Sequence, residues 1–101
     1  MSAVVFLMPA DVMKKVSRAA REKRLSLNVS QQSLSKRSGV SLAVLKKFEN
    51  TGKISFESLL KLALALGCLG DFFELFKPTP PEEFLTLDSL LNQKTRKRGR
   101  T

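Results

Sequence analysis

The sequence predicts an all-α fold, a compact bundle of about five helices followed by a short appended helix and a basic tail. Three observations support this prediction. Apolar residues recur three and four positions apart, as on one face of a helix, through most of the first 78 residues. Serines precede these stretches and glycines follow them, as at helix caps. A chain of 101 residues with 43% hydrophobic content has room for one small domain.

The first helix is predicted over roughly residues 9–25. Pro9 suits its first turn, where a missing backbone N–H costs nothing. Four apolar residues at helical spacing predict its apolar face: Val12, Val16, Ala19 and Ala20. Six basic residues lie among them: Lys14, Lys15, Arg18, Arg21, Lys23 and Arg24. The helix is amphipathic, but its apolar side is too slight for firm anchoring at a membrane surface.

A tight turn separates the second and third predicted helices. Ser30 can cap the second helix, Leu34 is its inward anchor, and Gly39 falls where a left-handed residue would end it. Ser41 can cap the third helix at once. Three residues of the third helix are expected to face inward, namely Val44, Leu45 and Phe48, and four to point largely elsewhere, namely Leu42, Ala43, Lys46 and Lys47.

The fourth helix is predicted in "SFESLLKLALALG", with Ser55 as its cap and Gly67 at its end. A fifth, short helix is expected to start at Asp71 in "GDFFELF". The "KPTPP" stretch at 77–81 then ends the helical pattern. The surplus of apolar residues in helices four and five fits either core filling or a dimer interface.

The chain accordingly divides into four parts. Residues 1–8 form an N-terminal arm whose "AVVFLM" stretch either is disordered, packs on the body, or serves as an exchanged strand or docking segment. The domain itself spans 9–78. Residues 79–93 hold a short appended helix with Phe84, Leu87, Leu90 and Leu91 at helical spacing. Residues 94–101 are a basic tail that we expect to be disordered.

Charge is distributed unevenly along the chain, whose net charge is +9 with a pI near 10.2. Residues 1–69 carry 12 basic and 4 acidic side chains, residues 70–93 carry 1 and 5, and the tail carries 5 and none. A strongly basic domain of this size indicates a polyanionic partner, nucleic acid or an anionic membrane surface. The tail is either solubilising, or binds phosphates or an acidic partner.

The composition argues against several classes of function. The chain has no histidine and one cysteine, Cys68, so neither a metal site nor an internal disulfide is expected, and no cofactor is predicted. It also lacks a phosphate-cradling glycine loop and paired carboxylates around a pocket, so an enzyme is not expected. No convincing signal peptide and no apolar run of about 18 residues is present. We therefore expect a cytoplasmic location.

The second helix, the Gly39 turn and the third helix match the spacing of a helix-turn-helix unit. Counting from Gln31, such a unit needs a small residue at its fifth place, glycine at its ninth, and apolar residues at its fourth, tenth, fifteenth and eighteenth. These places hold Ser35, Gly39, Leu34, Val40, Leu45 and Phe48. In such a unit the second of the two helices can enter a DNA major groove.

On these residues, "SQQSLSKRSGVSLAVLKKFENTGKIS" resembles the Cro/repressor-type, or XRE, family of helix-turn-helix domains. The resemblance covers about residues 10–76 and implies a lambda-repressor-like bundle that binds double-stranded operator DNA as a homodimer. It implies a base-facing set of Ser41, Leu42, Ala43, Lys46 and Lys47, and a set near the DNA backbone of Gln31, Gln32, Lys36, Asn50 and Thr51. Many members carry polar residues at the places of Leu42 and Ala43, so Lys46 and Lys47 are the residues mainly expected to read the DNA bases. The alternative is that these two lysines are merely solvated on an exposed face.

A narrower resemblance lies in "LKKFENTGKISFESLLKLALALGCLGDFFELFKPTPPEEFLTLDSLL" with the final "RKRGR". These stretches are similar to the HipB-like regulators made with HipA-like serine/threonine kinase toxins. The resemblance implies an antitoxin that represses its own operon and binds the kinase or a related subunit. It leaves open an interaction protein whose main role is to hold the kinase, with DNA binding secondary.

Overall fold

A computed structural model of the chain describes residues 8–78. This part is a bundle of four α-helices and one 3₁₀ helix, which confirms the predicted all-α class. The helices are α1 (Pro9–Ser26), α2 (Gln31–Ser38), α3 (Leu42–Thr51) and α4 (Phe56–Leu66), followed by the 3₁₀ helix Leu69–Glu74. None of these helices is both long and apolar enough to cross a membrane. Residues 1–7 of the predicted arm, the predicted appended helix and the predicted disordered tail lie outside the described residues.

Serine side chains begin three of the four α-helices, as predicted. The hydroxyl oxygens of Ser30, Ser41 and Ser55 accept hydrogen bonds from the backbone N–H three residues on, at 3.0, 3.2 and 3.1 Å. Each bond satisfies one of the N–H groups that a helix start leaves without a partner. At α1 the Asp11 carboxylate instead accepts a bond of 3.1 Å from the Met8 N–H. Helix boundaries in this chain are therefore set locally.

The core is built by the helix-turn-helix unit together with α4. Its buried cluster comprises Leu34, Val40, Leu45, Phe48, Leu62 and Leu66. Four of these, Leu34, Leu45, Phe48 and Leu62, are no more than 2% exposed. Because α2 packs against both α3 and α4, this cluster fixes the position of α3 relative to the rest of the bundle.

The face that α1 buries agrees with the predicted one only in part: Ala20 packs against the core cluster as expected, but other predicted positions are exposed. Val12 and Val16 are 45% and 36% exposed, whereas Ser17 and Arg24 are buried. The hydroxyl of Ser17 donates to the Lys14 carbonyl, and Arg24 is ion-paired, so both polar groups are satisfied. The prediction was wrong for Val12 and Val16 because it ranked residues by hydrophobicity, while α1 packs against α3 as well as α4 and buries Arg24 on Glu49.

Two further expectations are corrected. Val44, expected to face inward, is 38% exposed, while Leu42, expected to point outward, is half-buried. The reason is that α3 packs through Leu45 and Phe48 and turns Glu49, not Val44, toward α1. The last helix begins at Leu69 rather than Asp71 and is 3₁₀, a tighter form that is common as a short terminal piece.

Candidate nucleic-acid interface

The turn between α2 and α3 is held by hydrogen bonds on both sides of Gly39. Gly39 adopts φ 83°, in the left-handed region that favours glycine, and its N–H bonds to the Ser35 carbonyl at 2.9 Å. The Ser35 hydroxyl donates to the carbonyl of Val40, and the Val40 N–H donates to the Ser38 hydroxyl at 3.1 Å. Val40 itself is 3% exposed. The small residue predicted at the helix crossing, Ser35, thus also ties the turn to α2.

The outward side of α3 carries most of the residues predicted to face DNA. Ala43, Lys46, Lys47 and Asn50 are all exposed on it. Because they recur three and four positions apart, they lie on one face of the helix. The hydroxyl of Ser41 caps this helix, so its oxygen already accepts one bond from the backbone. The face therefore combines a methyl group, two ammonium groups and an amide.

The outward side of α2 adjoins this face through Leu42. Gln32, Ser35, Lys36 and Leu42 line a shallow depression between the two helices. Gln32 and Lys36 are exposed, and Leu42 is half-buried. The structure thus brings two of the residues predicted near the DNA backbone next to one predicted to face the bases.

A buried polar cluster that was not predicted from the sequence joins α1, α2 and α3. The Glu49 carboxylate accepts hydrogen bonds from Arg24 Nε and Nη2 at 2.8 and 2.9 Å, and from Gln31 Nε2 at 2.9 Å. Arg24 Nη1 also donates to the Val29 carbonyl at 2.9 Å. The side chains of Arg24 and Glu49 are 7% and 3% exposed. Gln31, predicted near the DNA backbone, is placed by the fold on Glu49.

The charge state of this polar cluster is set by its neighbours. Burial alone would raise the pKa of the Glu49 carboxyl, but the hydrogen bonds from Arg24 and Gln31 and the positive charges of Arg24 and Arg21 outweigh it. The pKa of Glu49 therefore lies below its ordinary value, and the carboxylate stays ionised at neutral pH. Glu49 also had a sequence signal, since it follows Leu45 by four positions and so shares the inward face of α3.

The C-terminal end of α3 lies directly against α1. Gly52 adopts φ 84°, and a Cβ on it would lie 2.9 Å from both the carbonyl carbon and oxygen of Met13. The Thr51 hydroxyl donates to the Lys47 carbonyl at 2.7 Å and accepts from the Lys53 N–H at 3.1 Å. Thr51, predicted near the DNA backbone, thus shapes the loop after α3, and Asn50 beside it is exposed.

Comparison with models of known protein families finds a match over more than half of the chain. A family model described as "Helix-turn-helix" matches residues 21–73, which run from the C-terminal half of α1 into the 3₁₀ helix. No curated protein matches the chain. The matched range includes the capped turn at Gly39, the exposed face of α3 and the whole core.

Proposed function

The chain belongs to the Cro/XRE type of helix-turn-helix DNA-binding transcription regulators, and from this we propose that it is a sequence-specific repressor that reads an operator through α3. The exposed face of α3 carries the proposal. It combines Lys46 and Lys47 with Ala43, on a helix whose start and end are fixed by the Ser41 cap and the Gly52 contact. A rigid exposed helix next to a tight glycine turn has the form of a major-groove reader.

The side chains of α3 suit both charge and sequence recognition. Lysine ammonium groups donate to guanine O6 and N7 or to phosphates, and the methyl groups of Ala43 and Leu42 suit contact with thymine methyl groups. We propose that Lys46 and Lys47 supply most of the hydrogen bonds to bases. We propose that Gln32, Lys36 and Asn50, which are exposed, contact phosphates and so hold the helix in register.

We propose that the repressor acts as a homodimer on a roughly palindromic operator. Two recognition helices would then enter successive major grooves about 34–36 Å apart. Large exposed apolar side chains on α4 and in the segment that follows it support the association of two copies. Phe56 and Leu64 of α4, Phe73 of the 3₁₀ helix and Phe76 just after it are 60%, 66%, 84% and 101% exposed. Phe56 lies beside the 3₁₀ helix, with its ring centroid 6.1 Å from that of Phe72, and large apolar side chains exposed in one region favour an interaction surface.

The resemblance of residues 45–91 to HipB-like regulators supports a finer proposal. In this view the protein is the autoregulatory antitoxin of a HipBA-like operon and binds a HipA-like serine/threonine kinase or related subunit. The alternative function, an interaction protein that mainly holds the kinase, relies on the same resemblance. Deleting residues 82–101 separates these roles. If the kinase docks through the C-terminal segment, the shortened protein should no longer capture the co-expressed kinase but should still bind DNA.

Enrichment of DNA from a random duplex library by the purified protein tests the repressor proposal. We expect a recurring sequence with approximate two-fold symmetry, and sedimentation of the complex should give two chains per duplex. A selection that yields no shared sequence would refute specific readout. A shared but asymmetric sequence bound by one chain would refute the dimer alone.

A further inference from the structure

Three basic residues of α1 line a cleft at the C-terminal end of α3. Lys14, Arg18 and Arg21 are four and three positions apart, which places them on one face of α1. Together with Ser17, Glu49 and Asn50 they enclose an open cleft of about 460 Å³. We call this the α1 basic cleft. Asn50 therefore belongs both to the exposed face of α3 and to this cleft.

The positive charge of the α1 basic cleft is only partly compensated, since Asp11 and Glu22 lie in a neighbouring depression that Lys14 and Arg18 also line. Within residues 8–78, no carboxylate lies within 4.0 Å of a Lys14 or Arg18 nitrogen. Arg21 Nε is 4.0 Å from Glu49 Oε1, but that carboxylate is already bonded to Arg24 at 2.8 and 2.9 Å. Three cations on one wall repel one another unless an anion lies between them. The cleft thus has the charge and the space for an anion.

The position of the cleft indicates which anion it takes. A ten-residue helix such as α3 is roughly 15 Å long, at about 1.5 Å per residue. The major groove is about 12 Å wide, so an end of a helix lying in it reaches toward the sugar–phosphate backbone. Asn50 lies in the last turn of α3, at the end nearest the cleft. We propose that Lys14 and Arg18, with Arg21, bind DNA phosphates beyond the bases that α3 reads, so that α1 extends the DNA footprint.

This inference rests on the proposed function, since α3 must occupy the groove for the cleft to meet these phosphates. The expected effect is electrostatic and independent of sequence. Each phosphate neutralised contributes about −0.9 to the slope of log affinity against log salt concentration. Loss of Lys14 and Arg18 should therefore make the slope shallower by about 1 to 2, and should weaken operator and unrelated DNA by a similar factor.

The test measures fluorescence anisotropy across a salt series with the full chain, the enriched duplex and a scrambled duplex. The cleft variant is Lys14→Gln/Arg18→Gln. The matched control Lys15→Gln/Lys23→Gln removes the same charge from exposed positions of the same helix that do not line the cleft. We expect a shallower slope for the cleft variant and a smaller change for the control. Equal changes in the two variants would overturn the inference, because the overall charge of α1 would then account for the effect on DNA binding.

A second arm of the test changes the DNA and compares the wild-type protein with the cleft variant on the same modified duplexes. Single phosphates flanking the enriched site are replaced one at a time by neutral methylphosphonates. We expect at least one replacement outside the bases covered by α3 to weaken wild-type binding but to have no effect on the cleft variant. No such position would overturn the inference. A wild-type protein that binds the enriched and the scrambled duplex alike would instead refute specific readout. The salt-dependence slopes would still show whether the cleft binds phosphates.

Discussion

Replacement of Glu49 by glutamine tests how α1, α2 and α3 are held together. The change keeps the shape of the side chain but removes its charge, and leaves the Arg24 guanidinium at 7% exposure without a counter-ion. Removing one partner of a buried ion pair costs about 3–5 kcal/mol. Because the Arg24 bond to the Val29 carbonyl remains and glutamine still offers an acceptor, we expect the lower end, about 3 kcal/mol.

A loss of this size is large for a domain of about 70 residues, whose free energy of unfolding is roughly 4–10 kcal/mol. It corresponds to a fall in Tm of about 12–24 °C. The assay is urea unfolding followed by circular dichroism, with comparison of midpoints and m-values. Glu57→Gln is the matched control. Its carboxylate is 82% exposed and lies 3.7 Å from Lys61, a surface pair worth only about 0.3–0.5 kcal/mol.

The double variant Arg24→Met/Glu49→Leu distinguishes a lost partner from a lost interaction. Replacing both charges with apolar groups leaves no buried ion, so we expect a cost of about 1 kcal/mol, well below that of Glu49→Gln. The reasoning is refuted if Glu49→Gln costs under about 1 kcal/mol, or if the double variant is as unstable as the sum of its single changes.

Three further predictions concern caps, turns and pH. Gly39→Ala should lower the free energy of unfolding by about 1–2 kcal/mol, from its left-handed backbone alone. Gly52→Ala should lower it clearly more, because the added Cβ would also meet the Met13 backbone at 2.9 Å. Equal losses for the two variants in urea unfolding would contradict this. Ser55→Ala should lower the free energy of unfolding by about 1 kcal/mol through loss of the 3.1 Å cap bond, and an unchanged midpoint would count against it. Because the folded pKa of Glu49 is lowered, the stability it contributes is full above about pH 4.3, the unfolded value, and is lost as pH falls through the folded pKa. The stability difference between wild type and Glu49→Gln should therefore shrink in acid, and a constant difference would refute the assignment.

Local signals in the sequence were sufficient to predict the boundaries of the four α-helices to within about a residue, but not the start of the 3₁₀ helix. The cap at Ser41 and the left-handed end at Gly39 depend on residues within four positions of each other, and both were predicted. The orientation of α3 about its axis was predicted less well, since Val44 was taken as inward and Glu49 was not considered. Val44 is the more hydrophobic of the two side chains, but Glu49 is the more buried, because Glu49 has a buried cationic partner.

The arrangement of α1 could not be predicted because its determinants lie far apart in the chain. Arg24 and Glu49 are separated by 25 positions, and the contact of Gly52 with Met13 is longer still in sequence. Neither involves an apolar periodicity, which was the signal used for α1. For the candidate site, the exposed positions on α3 followed from spacing, whereas the cleft beside Asn50 depends on how α1 packs and became visible only in the structure.

The central claim, that α3 reads DNA sequence through its lysines, is tested most directly by competition binding. Fluorescence anisotropy with labelled DNA from just upstream of the gene and excess unrelated competitor would compare three proteins: wild type, Lys46→Ala/Lys47→Ala, and the control Lys15→Ala/Lys23→Ala. We predict that wild type and control bind through the competitor, and that the α3 variant, with its circular dichroism and Tm unchanged, loses this selectivity. An α3 variant that retains full selectivity would contradict the account.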